Sequence, residues 1–264
     1  MVDEHVDIIA IIQARLGSTR LPGKVLLEIE SKPVLQHIVN RLKKVSKIDK
    51  VIVATSKLEI NSKITSYCKK NNIDFFVGSE DNVLDRFFNA AKACKPNDII
   101  RITGDCPLVD PETIEKLIDY YKLNNYDYCG VATGAGVADN NKIFKFPDGL
   151  DAEIFKYSVI KKAHMNASKQ IEKEHVTPYI WSNPSLFNLG VFESDIDYSK
   201  YRLTLDNIED FNLIKWIYSN LYKEHEFFSL KDIIQLIEKN KYKLNTNKHL
   251  IGKEGYEIFS KKRQ

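Results

Sequence analysis

Ten residues near the start of the chain, Arg15 to Lys24, gather three cations (Arg15, Arg20, Lys24), the Ser18 hydroxyl and two glycines (Gly17, Gly23). Glycine lets backbone amides approach an anion closely. Arginine offers a planar fork to phosphate oxygens, and lysine a point charge. The stretch fits polyphosphate binding; a solvated basic loop is the bland alternative. A second candidate is Asp105, set between Gly104 and a turn containing Pro107. A carboxylate there can hold a divalent ion, and magnesium takes oxygen ligands that it shares with phosphates. It can equally be a turn residue. Asp151 and Glu153 lie two apart and share one strand face, where hydroxyls, an ammonium group, a metal or solvent can meet them. His175 is a lone histidine, suited to an acceptor group or to a structural bond. No Ser-His-Asp or Cys-His arrangement is evident, so a covalent intermediate is not expected.

These groups need a scaffold. Ile8-Ile9-Ala10-Ile11-Ile12, just before the basic loop, is a continuous apolar run that reads as a strand buried on both faces. Lys50–Ser56, Asp74–Val77 and Asp98–Thr103 read as further strands. Between them, helical periodicity covers Pro33–Val45, about Ile60–Asn71, and a segment running to about Cys94 whose cap is assigned to Ser79, Glu80 and Asp81. Another helix begins near Glu112. His37 sits beside an apolar helical face and is read as structural. Such alternation implies a mainly parallel sheet with helices on both faces. Thr55 and Ser56 end the second strand, placed to bond a ligand or to cap the next helix. Arg101, inside a strand, needs the pocket or a buried partner.

Beyond residue 125 the pattern changes. Tyr126–Val131 reads as a strand, Thr133–Asn141 as a glycine-bearing loop, Glu172–Ile180 as a helix and Leu186–Phe192 as a strand. A short strand at Arg202–Leu205 ends in Asp206, and amphipathic helices follow through Leu221 and over Leu230–Lys239. The Lys261-Lys262-Arg263 run is a solvated end.

A chain of 264 residues can bury a full core as one domain, 1–264. The net charge of +3 implies no bulk attraction to nucleic acid or membrane. The four cysteines show no CxxC spacing, which fits reduced thiols in the cytoplasm and argues against zinc. Met1–His5 is too acidic for a secretory leader, and no apolar run reaches membrane-spanning length.

The string Gln13-Ala14-Arg15-Leu16-Gly17-Ser18-Thr19-Arg20-Leu21-Pro22-Gly23-Lys24 resembles the first motif of the cytidylyltransferases that activate sugar acids, Arg-x-x-Ser-x-Arg-x-x-x-Lys. It is most similar to the branch named for spore-coat polysaccharide biosynthesis, grouped with the acylneuraminate and 3-deoxy-manno-octulosonate cytidylyltransferases. Gly78-Ser79 with Val83-Leu84-Asp85-Arg86, Gly104-Asp105-Cys106-Pro107-Leu108, Pro147-Asp148-Gly149-Leu150-Asp151-Ala152-Glu153, Glu174-His175-Val176-Thr177-Pro178-Tyr179 and the Asp206 stretch continue the resemblance in order. At the last motif Asn207 and Ile208 replace the usual Thr-Pro.

The resemblance implies a glycosyltransferase-A-like, Rossmann-like three-layer α/β sandwich with a mainly parallel sheet. It implies a small inserted substrate and dimer-contact region at 126–155, and a homodimer. It implies transfer of CMP from CTP to a sugar acid or related small anionic acceptor, with pyrophosphate leaving and Mg2+ as cofactor. Arg15, Lys24, Asp105 and Asp206 would be catalytic, with Asp105 and Asp206 holding the metal. The nucleotide would be bound by Ala14, Arg15, Gly17, Ser18, Arg20, Lys24, Thr55, Ser56, Ser79, Asp85, Arg86, Thr103 and Gly104. Asp148, Asp151, Glu153, Glu174 and His175 would face the acceptor. A glycosyltransferase of the same fold is a second reading, though its Asp-x-Asp signature has a literal match only at Asp195-Ile196-Asp197. A nucleotide-binding partner without activity is a third, and an acceptor that is phosphorylated or a phosphonate is a further option.

Overall fold

The structure is a computed structural model that describes residues 6–133, 145–222 and 226–251. The proposed loop at 133–141, apart from Thr133, and the 261–263 basic run lie outside the described residues. The first strand, β1 (Ile8–Gln13), is the centre of the sheet. Its alternate residues serve two cores: Ile8, Ala10 and Ile12 pack into one, Ile9 and Ile11 into the other. That is why the run is apolar throughout rather than alternating.

The chain continues through a two-residue ribbon, β2 (Glu28–Ile29) and β3 (Lys32–Pro33), into α1 (Val34–Leu42) and β4 (Lys50–Ser56). Next come α2 (Ser62–Lys70), β5 (Asp74–Gly78), α3 (Val83–Lys92) and β6 (Asp98–Thr103). Then follow α4 (Pro111–Leu123), β7 (Tyr128–Val131), β8 (Ala152–Lys156), α5 (Tyr157–Asn166), α6 (Gln170–His175), α7 (Pro178–Trp181) and β9 (Leu189–Phe192). Helices α8 (Ile208–Leu221) and α9 (Leu230–Lys239) follow, and two 3-10 turns, Lys241–Thr246 and Lys248–Leu250, come after them. The seven-stranded sheet runs β5-β4-β1-β6-β8-β7-β9, with β8 antiparallel to both neighbours and the other pairings parallel. Helices α1, α2, α4, α8 and α9 cover one face, and α3, α5 and α7 the other. The α/β three-layer reading is thus correct.

The winding positions the site. From β1 the chain moves outward to β4 and β5, then returns to β6 on the other side of β1. Such a reversal opens a crevice at the carboxyl ends of the central strands. Gln13 and Thr103 stand side by side there, and the basic loop and Asp105 follow directly.

Several local expectations are corrected. Asn82, not the Ser79–Asp81 run, caps α3: its side chain accepts the Asp85 N–H, while Ser79 accepts the N–H of Asn82. The helix expected over Glu172–Ile180 is two short ones, because Val176 takes a left-handed φ of 71° and Pro178 starts the second. β7 and β9 begin later than expected, at Tyr128 and Leu189. Arg202–Leu205 is no strand. Its N–H groups go to two separate segments, Leu203 to the Asp148 carbonyl and Leu205 to the Asp105 carbonyl. α8 starts without a proline because Asn207 and Asp210 form a reciprocal capping box.

Gly149, at φ +96°, lets residues 148–149 lie flat on 203–204; an added Cβ would meet the Thr204 nitrogen at 2.2 Å. Gly149→Ala should therefore destabilise the fold by about 2 kcal/mol or more, read from the urea midpoint, since backbone would clash with backbone. A change within about 0.5 kcal/mol would contradict this packing.

Candidate active site

Three segments distant in sequence meet at the mouth of the crevice. The basic loop is rooted first. Leu16 and Val25 are buried, and between them Arg20 is exposed while the Lys24 side chain is mostly covered. The Leu16 N–H donates to the buried Asn61 side chain at 2.8 Å, and the Gly23 N–H donates to the Leu16 carbonyl. Gly23, at φ 70°, makes the left-handed turn that starts the Lys24 helical turn. Gly104 brings the second segment close: its N–H donates to the Gln13 carbonyl, and a Cβ there would lie 2.8 Å from that oxygen. The third segment is joined to the second by the Leu205 N–H on the Asp105 carbonyl, 2.9 Å.

Lys24, Asp105 and Asp206 converge as a result. The Lys24 Nζ donates to Asp105 Oδ2 at 2.9 Å and to Asp206 Oδ1 at 2.8 Å. Arg20 adds an ion pair to the same Asp206 oxygen, 2.8 Å. Burial would raise the Asp105 carboxyl, but the Lys24 charge and hydrogen bonds from Lys24 and Thr103 outweigh it and hold it at about 2. Burial opposes the charge on Lys24, yet its two carboxylates raise its pKa.

Beside this triad lies a residue that the motif reading quoted but gave no role, Arg202. Its buried guanidinium grips Asp210 with two parallel bonds of 2.9 Å and donates to Asp148 Oδ2 at 2.8 Å. Asp210 in turn accepts the backbone N–H groups of Asp206 and Asn207, both at 3.0 Å. The Asn247 side chain closes the knot on Asp210 and the Arg202 carbonyl. An Arg with an acid eight residues on was the only signal in the sequence. Burial, then Asp151, push Asp148 up to about 7 against the pull of Arg202. Asp151 is also raised by burial, opposed by the Thr133 hydroxyl that donates to it. Cys106, 3.7 Å from Asp105 and 4.0 Å from Asp151, is pushed well above its ordinary value by burial and those carboxylates.

The other nucleotide candidates divide. Ala14 is buried and its N–H joins the Ala54 carbonyl, so only its position beside the loop serves a ligand. Gly17 is exposed, and Arg15 reaches Glu80 at 3.4 Å. Ser18 accepts the Leu21 N–H and shapes the loop. Thr55 Oγ1 is buried without a partner in the described protein, whereas Ser56 accepts from the Asn61 side chain at 2.6 Å. Neither caps the following helix by side chain; Ser56 braces the loop through Asn61. Arg86 is buried, donates to the Ser79 carbonyl at 2.7 Å, and leaves Nε and one terminal nitrogen unbonded. Thr103 meets the Cys106 thiol.

Two expectations, for Asp85 and Glu153, need correction. Asp85 points into the helix layer, where its carboxylate meets His164 and Asn89 at 2.9 Å. Glu153 is not an open acceptor ligand. It is a buried partner of Arg101, and the Tyr128 and Thr177 hydroxyls donate to it. That pair answers what Arg101 needed. Glu174 is exposed on α6, outside the triad. His175 ends α6, its pKa lowered by burial and by Arg101. His37 bonds the Ile29 carbonyl at 2.8 Å, a structural role as expected. Asp197 of the Asp-x-Asp match accepts the Ser199 N–H in an exposed loop.

Among the described residues no group of three or more His, Cys, Asp or Glu could hold a metal ion. Two carboxylates converging on one cation do suit magnesium, an oxygen-seeking ion that keeps several waters and shares phosphates. Among the described residues, no helix is long and apolar enough to cross a membrane.

A parallel sheet that reverses at its centre, with a cationic loop and paired acids over the crevice, defines an α/β enzyme of the nucleotide-transferring class. The cytidylyltransferase family model matches residues 9–250, and the chain belongs to that family. It is a CTP-dependent nucleotidyltransferase. It is 35% identical to the spore coat polysaccharide biosynthesis protein SpsF of Bacillus subtilis over 89% of this chain and 95% of that one. A 3-deoxy-manno-octulosonate cytidylyltransferase of Thermodesulfovibrio yellowstonii matches 44% of this chain and 48% of its own, at 34% identity. The solved structure of a cytidylyltransferase from Leptospira borgpetersenii superposes with a TM-score of 0.82 at 33% identity, covering 91% of this chain and 97% of that one.

Arg202→Met should cost about 3–5 kcal/mol in urea unfolding, because Asp210 is left buried and unpaired. Asp148 binds a proton more tightly folded than unfolded, so its contribution to stability is full below about 4 and is lost as pH rises through about 7. Asp148→Asn should flatten the fall in stability between about pH 4 and 7. An unchanged pH profile would contradict the assignment.

Proposed function

We propose that the protein transfers CMP from CTP to a hydroxyl of a small sugar acid, releasing pyrophosphate. The acceptor hydroxyl oxygen bonds to the α-phosphorus and gives up its proton to water as the bond from that phosphorus to the bridging oxygen breaks, and pyrophosphate leaves with that bonding pair. The reaction needs placement and charge neutralisation rather than a covalent enzyme intermediate. The observation that carries the reading is the Lys24 ammonium held between Asp105 and Asp206 at the crevice mouth, with Arg20 beside it.

Arg15, Arg20 and Lys24 hold the triphosphate and offset the charge that gathers on the departing pyrophosphate. Gly17 and Ser18 keep the loop close to it. Arg86 and Thr55, with unbonded polar atoms, line the nucleoside side. Asp105 and Asp206 are the carboxylates that would hold Mg2+, which when bound lowers the pKa of a coordinated hydroxyl and neutralises phosphate charge. Arg202 keeps Asp206 in place through Asp210. Asp148, held by Arg202, and Asp151, held by the Thr133 hydroxyl, face the acceptor.

The sugar-acid acceptor is supported by what the relatives are called, one for activating 3-deoxy-manno-octulosonate and one for spore-coat polysaccharide. The product would then serve surface polysaccharide or glycoconjugate synthesis. The same reading has the protein work in the cytoplasm as a homodimer joined through 126–155.

The test is pyrophosphate release with each nucleoside triphosphate against a panel of sugar acids, in magnesium. CTP with one acceptor should turn over, and Lys24→Ala or Asp105→Asn should cut the rate by about a hundredfold or more with the fold intact. Full activity in either variant would sink the site assignment. Sugar transfer from a nucleotide sugar without pyrophosphate would favour a glycosyltransferase instead.

A further inference from the structure

Lys24 has two duties that one position cannot meet together. Its ammonium lies within 2.9 Å of both Asp105 and Asp206, where a cation bridging the two would stand. Holding a triphosphate requires that ammonium to turn to phosphate oxygens. The three groups differ in what can move. Asp105 is fixed through its carbonyl on the Leu205 N–H, and Asp206 through its N–H on Asp210. The Lys24 backbone is held by the Gly23 turn and by Val25 in the core. What remains free to swing is the four-carbon lysine stem, whose three donors rotate to suit an acceptor.

We infer that Lys24 is a built-in counter-ion that keeps the Asp105–Asp206 position closed to a divalent cation until a bound triphosphate draws its ammonium away. The inference rests on the reading that these two acids hold the metal and Lys24 the phosphates. Without nucleotide, an incoming divalent cation must displace a paired ammonium into a loop that already carries Arg15 and Arg20. With nucleotide, phosphate oxygens receive the ammonium and the carboxylates are released. Nucleotide and metal then bind cooperatively, each tightening the other by the same factor.

The test measures Mn2+ binding to the full-length protein without nucleotide, from the loss of the free-ion electron paramagnetic resonance signal. The wild type should show no Mn2+ site that Asp105→Asn removes. Lys24→Met, of similar length and uncharged, should gain such a site, at least about tenfold tighter than any in the wild type, within the usual range of coupling between sites. Adding Asp105→Asn to that variant should abolish it. A nucleotide-free wild type that binds Mn2+ as tightly as Lys24→Met, at a site lost with Asp105, would overturn the inference; this reading needs only the wild type and Asp105→Asn to fold. Failure of the underlying metal reading has a different signature: Mn2+ binding in the Lys24→Met protein, or in the wild type with CTP, that Asp105→Asn leaves untouched.

Discussion

Two carboxylates brought to one point repel each other, and burial makes the repulsion worse. The arrangement at this crevice exists because an ammonium stands between them. Lys24 neutralises part of the charge of Asp105 and Asp206, and Arg20 and Arg202 take more. Acid still exceeds base, since Asp148, Asp151 and Asp210 lie in the same cluster. Burial weighed against cation contact sets how each acid carries the excess. Asp105, bonded to Lys24, is held low, while burial and their neighbouring acids push Asp148 and Asp151 up, Asp148 in spite of its bond to Arg202. The site thus keeps Asp105 ionised, while Asp148, pushed up to about 7, can take up a proton near neutral pH.

Nothing local brings these residues together. Lys24 lies 81 residues from Asp105 and 182 from Asp206. Closing such loops costs entropy that three ion pairs would not recover. The sheet bears that cost. β1 and β6 are neighbours because the chain reverses around β1, so the loops that follow them must emerge side by side. Gly104 and Gly149 then let backbone touch backbone where a side chain would hold the segments apart. The ions arrive at positions that backbone hydrogen bonds have already fixed.

Much of this was legible in the sequence. The continuous apolar run of Ile8–Ile12, the strand–helix alternation and the crowding of cations after the first strand each follow from residue type and spacing. Asp105 stood out by its turn, and Asp206 only by resemblance. What could not be read was partner choice. Period two puts Glu153 and Asp151 on one face, but only the pairing of β6 with β8 sets Arg101 directly opposite Glu153. Likewise resemblance matched Asp85 to the nucleotide, and only the packing of α5 against α3 brings His164 to it. Arg202 and Asp210 are eight apart across the start of a helix, a spacing that no periodic pattern flags.

The Arg101–Glu153 pair illustrates why a buried charge is kept so near a reactive crevice. Such pairs add little net stability, because desolvation consumes the attraction. Here the pair sits in the junction between β6 and β8, where the sheet changes from parallel to antiparallel. Ala152 and Ile154, its strand neighbours, belong to the opposite apolar core. A slip of β8 by one residue would send Glu153 into that core and leave Arg101 and the Tyr128 and Thr177 hydroxyls facing apolar atoms. The pair therefore makes the wrong register costly rather than the right one strong. Register in β8 fixes where Asp151 and Asp148 fall just before it, and so their place relative to Asp105.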